Sequence, residues 1–179
     1  MGSKNVGKTT LVTRIEKNKF LEEYIETMTP STSEVKRKIK DMEKTFELVD
    51  PSGDERRKNL NKVAYNHADI VLLVYDITVK QSLSDVISIY ESFESCFKEH
   101  TVFVIANKID LIDQQEDNEQ EGRKYADSMN AFFISTSCLT NTGIKEIFNS
   151  IVIDKNKVDR SGIRLDDLES RQKKTKCCK

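Results

Sequence analysis

The chain has 179 residues, of which 37% are hydrophobic and 33% charged, with a formal net charge of -1. This length predicts one domain with a single core, and the balanced charge argues against a nucleic acid partner. The sequence contains no apolar run near the about 18 residues of a membrane span and no secretory leader at its start, so we expect a cytoplasmic protein without disulfides.

The first third of the chain predicts a helix, a hairpin and a second helix. Helical period covers residues 8–17 and again 55–66. Between them, residues 32–40 and 44–49 alternate polar and apolar side chains, as strands with one solvated face do. Asp41 and Met42 between these segments predict an antiparallel hairpin at one edge of a sheet.

The remainder alternates short apolar runs with helical segments. The runs IVLLV, VFVIA and AFFI are apolar on both faces, as strands buried between two helix layers are, and they lie at 70–74, 102–106 and 131–134. Helices are expected at 82–98, 117–128 and 143–153. Together these elements predict an α/β fold with a mostly parallel central sheet, helices on both faces and one antiparallel edge strand.

The first ten residues, MGSKNVGKTT, fit the pattern G-x-x-x-x-G-K-[ST] of a phosphate-binding loop. Gly2 and Gly7 allow backbone amides to converge on phosphate oxygens, and the helix that follows adds its positive end. Lys8 can neutralise the terminal phosphates, and the Thr9 hydroxyl can reach Mg²⁺. A glycine turn followed by lysine, without a ligand, is the alternative interpretation.

A second motif, NKID, directly follows the strand that ends at Ala106. Asp110 can accept both the ring N–H and the exocyclic amine of guanine, a donor pair that adenine does not present. Asn107 would contact the base and tie the neighbouring loops together, while the stem of Lys108 could lie along the ring. A polar strand exit without a ligand is the alternative.

A third motif, DPSG, closes the second strand of the hairpin. Asp50 can hold Mg²⁺ through water, and the Gly53 amide can meet a terminal phosphate because no side chain blocks it. On its own, this sequence is also that of an ordinary turn.

In this order and spacing, the three motifs resemble those of the small GTPases of the Ras and Rab type, from Gly2 to about Val152. The resemblance implies a P-loop NTPase G domain that binds GTP or GDP with Mg²⁺ and hydrolyses GTP to GDP and phosphate. It also implies effectors, an exchange factor and a GTPase-activating protein as partners of a monomer.

The resemblance assigns roles to further residues. Phe20 resembles the aromatic side chain that packs on guanine, Tyr24 the tyrosine of the first switch, and Thr27 the residue that binds Mg²⁺ and the γ-phosphate. The expected metal ligands are Thr9, Thr27 and Asp50, and the expected catalytic residues are Lys8, Thr27, Gly53 and Asp54. The residues expected at the nucleotide are Gly2, Asn5, Val6, Gly7, Lys8, Thr9, Thr10, Phe20, Tyr24, Thr27, Gly53, Asn107, Lys108, Asp110, Ser137, the backbone amide of Cys138, and Leu139.

The family has a buried central strand before the phosphate-binding loop, whereas here Met1 alone precedes it. If about four or five side chains of that strand were buried at roughly 2 kcal/mol each, its loss would cost about 8 to 10 kcal/mol. Whole domains are stable by about 5 to 15 kcal/mol. We therefore expect a G domain over 1–153 that lacks its first strand, in a sequence that is N-terminally incomplete by roughly six to ten residues, one strand's length.

Several positions depart from the family pattern. Asp54 stands where the family has the glutamine that orients the attacking water, and a carboxylate there is repelled by phosphate and offers it no donor. We therefore expect slow hydrolysis. Lys4 and Asn5 replace small residues, and the long Lys4 side chain could either obstruct a partner's arginine or assist with its charge. Leu139 replaces the usual lysine of the guanine-binding segment.

The segment 154–179 is polar, is predicted to be a flexible tail, and ends in KKTKCCK. Cys177 and Cys178 resemble the paired cysteines on which Rab proteins receive two geranylgeranyl groups. Two lipid chains beside a basic patch suffice for stable anchoring, so we expect peripheral attachment to the cytosolic face of a membrane. An unmodified tail is the alternative.

Two functional hypotheses follow from these features. The first is a Rab-like switch that cycles between GTP and GDP and regulates vesicle traffic or signalling at membranes, with weak intrinsic hydrolysis. The second is a GTP-binding pseudoenzyme that stays loaded and acts as a membrane-recruited interaction module, which Asp54 and Lys4 favour. A fragment that binds no nucleotide is a third, less favoured alternative.

Overall fold

The computed structural model describes residues 1–23, 26–39, 42–54, 56, 58–65, 68–97, 99–111 and 116–154. Helices and strands alternate there as the apolar pattern predicts. Their bounds are α1 Lys8–Lys17, β1 Ser31–Ile39, β2 Met42–Asp50, α2 Lys58–Tyr65, β3 Ile70–Asp76, α3 Lys80–Phe93, β4 Thr101–Asn107, α4 Glu116–Ser128, β5 Phe132–Thr136 and α5 Ile144–Asp154. The predicted helix 82–98 is shorter than expected because the chain leaves α3 through a short 3₁₀ turn at Glu94–Cys96.

Strands β3, β4 and β5 form a parallel sheet in that spatial order. Successive residues of β4 enter opposite cores: Phe103 and Ile105 pack with α1 and α5, whereas Val104 and Ala106 pack with α3 and α4. All four are fully buried. Because helices cover both faces, these strands carry apolar side chains on both, which is the source of the continuous apolar runs in the sequence.

The single central sheet expected from the sequence is divided in two. Strands β1 and β2 form a separate antiparallel pair that runs from Ser31 opposite Asp50 to Ile39 opposite Met42. The placement of Met42 in the turn is therefore wrong, because its backbone is already paired within β2; residues 40–41 lie outside the described residues.

The division of the sheet coincides with the expected lack of a leading strand, since no strand precedes α1 among the described residues. Met1 lies along β3 in its place. Its carbonyl accepts a hydrogen bond of 2.9 Å from the Val74 amide, and its amino group donates one of 2.5 Å to the Leu72 carbonyl. Burial lowers the pKa of this amino group to about 5. That residues are missing upstream stays a prediction.

The tail over 155–179, with Cys177 and Cys178, lies outside the described residues, as does Tyr24. Among the helices that the structure describes, none combines the length and apolar character needed to cross a membrane.

Gly122 on α4 provides a test of how closely this core is packed. A Cβ atom there would lie 2.3 Å from the Tyr75 hydroxyl and 3.1 Å from the Phe133 ring. Tyr75 is fully buried and its hydroxyl donates to the Asn118 carbonyl, so it has little room to move. Although Gly122→Ala gains about 1 kcal/mol in helix propensity, overpacking costs about 1–3 kcal/mol or more. Because the 2.3 Å contact is severe, we expect a cost in the upper part of this range, about 2–3 kcal/mol, so the free energy of unfolding should fall by about 1–2 kcal/mol net in urea titrations.

Two further variants control this measurement. Gln120→Ala, at an exposed position of the same helix, should stay within about 0.5 kcal/mol of the parent. Combining Gly122→Ala with Tyr75→Phe should cost less than the sum of the two single changes, because the hydroxyl that is crowded has been removed. A Gly122→Ala chain as stable as the parent would contradict the packing described.

Candidate functional site

The loop at residues 2–7 folds around the start of α1 because three of its residues adopt left-handed or related backbone angles. Gly2, Asn5 and Gly7 have φ of 149°, 64° and 94°. A Cβ atom on Gly2 would lie 2.3 Å from the Val74 carbonyl oxygen, so glycine is required for the loop to pass the end of β3. No side chain caps the first turn of α1, whose amides are left available for an anion.

Lys8 is the buried cation of this loop. Its Nζ donates to the Ser3 carbonyl at 2.8 Å, and the residue is buried. Burial lowers the pKa of Lys8 to about 8, while the nearby charge of Asp50 opposes that shift. An anionic phosphate placed beside it would restore the charged form, which suits the loop to a polyphosphate.

The three residues expected to hold Mg²⁺ come together from three segments. Thr9 Oγ1 lies 2.7 Å from Thr27 Oγ1 and donates to Asp50 Oδ2 at 2.7 Å. The second carboxylate oxygen of Asp50 is buried without a hydrogen-bond partner. Burial also raises the pKa of Asp50. Two hydroxyls and a carboxylate with a free oxygen are the ligands that a hard cation with its water shell prefers, so these residues fit Mg²⁺.

Asn107, the last residue of β4, connects three segments of the site. Its amide nitrogen donates to the Val6 carbonyl at 2.9 Å, and its oxygen accepts from the Thr136 hydroxyl at 3.1 Å and from Cys138 Sγ at 3.5 Å. The residue is 1% exposed. A Cβ atom on Gly7 would lie 2.5 Å from this amide nitrogen, which explains the glycine there.

The remaining residues of the NKID motif also contact neighbouring loops. Lys108 Nζ donates to the Asn5 carbonyl at 2.7 Å and pairs with Asp76 Oδ2 at 2.6 Å. The Ser137 hydroxyl donates to Asp110 Oδ1, and the Asp110 residue itself is exposed. Ser137 therefore orients the exposed Asp110 carboxylate. Ser137 lies in the segment that the sequence analysis also expects to contact the guanine base.

Most of these residues line a cleft of about 520 Å³. Gly2, Val6, Asp50 and Ser137 are not part of its lining, and Tyr24 is outside the described residues. Sequence reasoning did not include Leu21, Glu22, Glu23, Glu26 and Leu111, although the first four lie close to Phe20 in the chain. The full lining is Lys4, Asn5, Gly7, Lys8, Thr9, Thr10, Phe20, Leu21, Glu22, Glu23, Glu26, Thr27, Gly53, Asp54, Asn107, Lys108, Asp110, Leu111, Cys138 and Leu139.

Asp54 is fixed at the edge of the cleft by two cations. Arg56 forks onto its carboxylate with hydrogen bonds of 2.7 and 3.1 Å. Lys4 Nζ lies 3.5 Å from Asp54 Oδ2 and 2.9 Å from Glu26 Oε1. The hydrogen bonds from Arg56 hold the pKa of Asp54 well below its usual range. The carboxylate is therefore ionised, and the sequence had not identified Arg56 or Glu26 as its neighbours.

Comparison of the sequence with known proteins finds one matching family and several relatives. The family model that matches, over residues 1–157, is described as the Ras family. The Ras-related protein Rab-21 of Canis lupus familiaris is 34% identical over 149 residues, which are 83% of this chain and 67% of that protein; in Homo sapiens the latter share is 66%. The Ras-related protein Rab5 of Nicotiana tabacum is 31% identical over 152 residues, 84% of this chain and 76% of that protein.

We predict that Asn107 is the main link between the loops. Asn107→Ala removes the donor to Val6 and leaves the Thr136 hydroxyl unpaired, so it should lower the free energy of unfolding by about 2–3 kcal/mol. Thr136→Val removes one of these contacts and should cost about 1 kcal/mol. Both are measured by denaturant titration without nucleotide. Equal costs for the two variants would argue against the linking role.

Proposed function

Since this chain belongs to the Ras family of small GTPases, we propose that it is a Rab-like molecular switch that cycles between GTP and GDP. One observation carries the proposal. A single cleft holds a buried lysine and a cluster of hydroxyl and carboxylate oxygens at one end, and a serine-oriented carboxylate at the other. A guanine nucleotide needs both a phosphate site and a base site in one cleft.

At the phosphate end, Lys8 and the amides of the first turn of α1 would bind phosphate oxygens. Mg²⁺, when bound, would be held by Thr9, Thr27 and, through water, Asp50, and would neutralise phosphate charge. Thr27 lies between α1 and β1, whereas Gly53 follows β2. Because both segments meet at this end, loss of the terminal phosphate would release both, and effectors would distinguish the two states.

The location of the switch is also part of the proposal. Lipids on Cys177 and Cys178 beside the basic residues of the tail would hold the protein on the cytosolic face of a membrane, where Rab-like switches regulate vesicle traffic or signalling. An exchange factor and a GTPase-activating protein would drive the cycle.

Base recognition tests the proposal. In Asp110→Asn, the side chain presents one acceptor and one donor, which match xanthine, whose C2 carries oxygen in place of the amine. We expect GDP affinity to fall on the order of a hundredfold, as the loss of charge-assisted hydrogen bonds implies, and XDP affinity to rise. Titration calorimetry with both nucleotides measures this. Asp69→Asn, at an exposed position before β3, is the matched control. A parent chain that binds neither nucleotide would refute the proposed function.

A second candidate function, a pseudoenzyme that stays loaded with GTP, is favoured by the environment of Asp54. Its carboxylate is held by Arg56 and Lys4 and has no donor for a phosphoryl oxygen. Such a protein would use the nucleotide to hold a surface for partners, and its output would depend on loading by exchange more than on hydrolysis.

Single-turnover hydrolysis separates the two functions. Asp54→Gln restores an amide that can orient water and donate to phosphate, and we expect the rate to rise roughly tenfold or more, less than the about hundredfold that one fully preorganised donor supplies. Asp54→Asn carries the same amide on a shorter stem, and Arg56→Ala frees the carboxylate without adding a donor; both should respond less. No acceleration in Asp54→Gln would show that another feature limits hydrolysis.

A further inference from the structure

Arg14, in the last turn of α1, contacts the segment expected to bind the base. Its Nε donates to the Cys138 carbonyl at 2.7 Å, and its Nη2 to the Leu139 carbonyl at 3.3 Å. Its third nitrogen donates to the Asn18 carbonyl at 2.9 Å, where the helix ends. One planar guanidinium therefore joins the end of a helix to two successive carbonyls that are more than 120 residues away in the chain.

Residues 137–142, which we call the base loop, are held at their two ends by internal hydrogen bonds. Ser137 and Thr142 exchange two backbone hydrogen bonds of 3.1 Å. The Ser137 hydroxyl also accepts from the Thr140 amide at 3.0 Å. Leu139 and Thr140, in the middle of the base loop, are exposed, so their side chains contribute little packing against the rest of the domain. Two carbonyls of the base loop are held from outside it by Arg14, and a second, longer contact of 3.3 Å joins Asn141 to Asn18.

This contact fixes the orientation of the peptide groups in the base loop. A carbonyl held at 2.7 Å fixes the plane of the peptide that follows Cys138. The amide of Cys138, which the base would meet, belongs to the preceding peptide and is joined to the fixed one at the Cys138 Cα, so holding the carbonyl restricts how this amide can turn. Since α1 carries Lys8 and Thr9 in its first turn and Arg14 in its last, the same rigid helix holds both the phosphate site and the base loop.

We propose that Arg14 is a positioning residue for the base loop, and that it slows nucleotide release by holding this loop at a fixed distance from the phosphate site. The inference rests on the proposed function, because it assigns the base of a bound guanine nucleotide to this loop. The sequence motifs do not identify this role of Arg14, because its partners are distant in the sequence and a single arginine on a helix forms no recognisable pattern with its neighbours.

The dissociation rate of a fluorescent GDP analogue, measured with excess unlabelled GDP at constant Mg²⁺, tests the proposal. Arg14→Met keeps the aliphatic stem and removes the donors, so release should be on the order of tenfold to a hundredfold faster. Arg14→Lys retains the charge and one donor site and should fall between the parent and Arg14→Met. Lys17→Met is the matched control: it removes a cation from the same turn, the Nζ of which lies 3.8 Å from Glu16 Oε2, and it should leave the rate unchanged.

Two further measurements distinguish positioning from general loosening of the domain. Binding of inorganic pyrophosphate with Mg²⁺, which occupies the phosphate end alone, should be the same in Arg14→Met and the parent. Hydrogen exchange of the backbone amides at residues 138–140, followed by mass spectrometry on their peptides, should be faster in Arg14→Met than in the parent and Lys17→Met, because the two carbonyls that Arg14 holds are released. Both experiments are made well below the unfolding midpoint of each variant.

The outcomes separate the inference from the function on which it rests. A parent chain that binds pyrophosphate but no guanine nucleotide would overturn both. A parent that retains GDP while Arg14→Met releases it no faster than Lys17→Met would overturn the role of Arg14 and leave the switch intact. Equal losses of affinity for GDP and pyrophosphate would also overturn it, because Arg14 would then support the whole fold.

Discussion

The buried amide of Asn107 is the interaction on which the site depends. In an apolar interior, an amide group must satisfy both its donor and its acceptor, or the arrangement is strongly disfavoured. The Asn107 side chain does so with the Val6 carbonyl on one side and the Thr136 hydroxyl on the other. The phosphate-binding loop, the end of β4 and the end of β5 therefore have one relative position in which all these groups are paired.

The two ends of the cleft differ in how fully their polar groups are satisfied. At the base end, Asp110, Ser137 and Thr140 form a chain of hydrogen bonds within the protein. At the phosphate end, Asp50 has a buried oxygen without a partner, and the cation of Lys8 is desolvated. A bound polyphosphate and cation would complete the second end, so ligand binding would stabilise the folded chain as well as occupy its site.

Much of this arrangement could be predicted because it is encoded locally. The apolar runs identify β3, β4 and β5, and Asn107 and Asp50 are recognisable because each stands where a strand ends. Arg14, Arg56 and Glu26 could not be identified in this way, since a single charged residue gains its role from a partner that the fold brings near. The division of the sheet and the length of α3 depend on backbone pairing, which side-chain periodicity does not report. The roles assigned to the nucleotide-binding, metal-binding and catalytic residues, and to Cys177 and Cys178, remain predictions.

The separation of β1 and β2 from the other strands has a consequence for the energy landscape of the domain. Among the described residues, this hairpin shares no ladder of backbone hydrogen bonds with β3, and it packs through side chains such as Val35, which lies in the core beside α1 and α5. It is therefore a cooperative unit whose opening free energy can lie below that of global unfolding. Asp50 is the last residue of β2, so each such opening would carry away the carboxylate of the proposed metal site and link local opening of the hairpin to cation affinity.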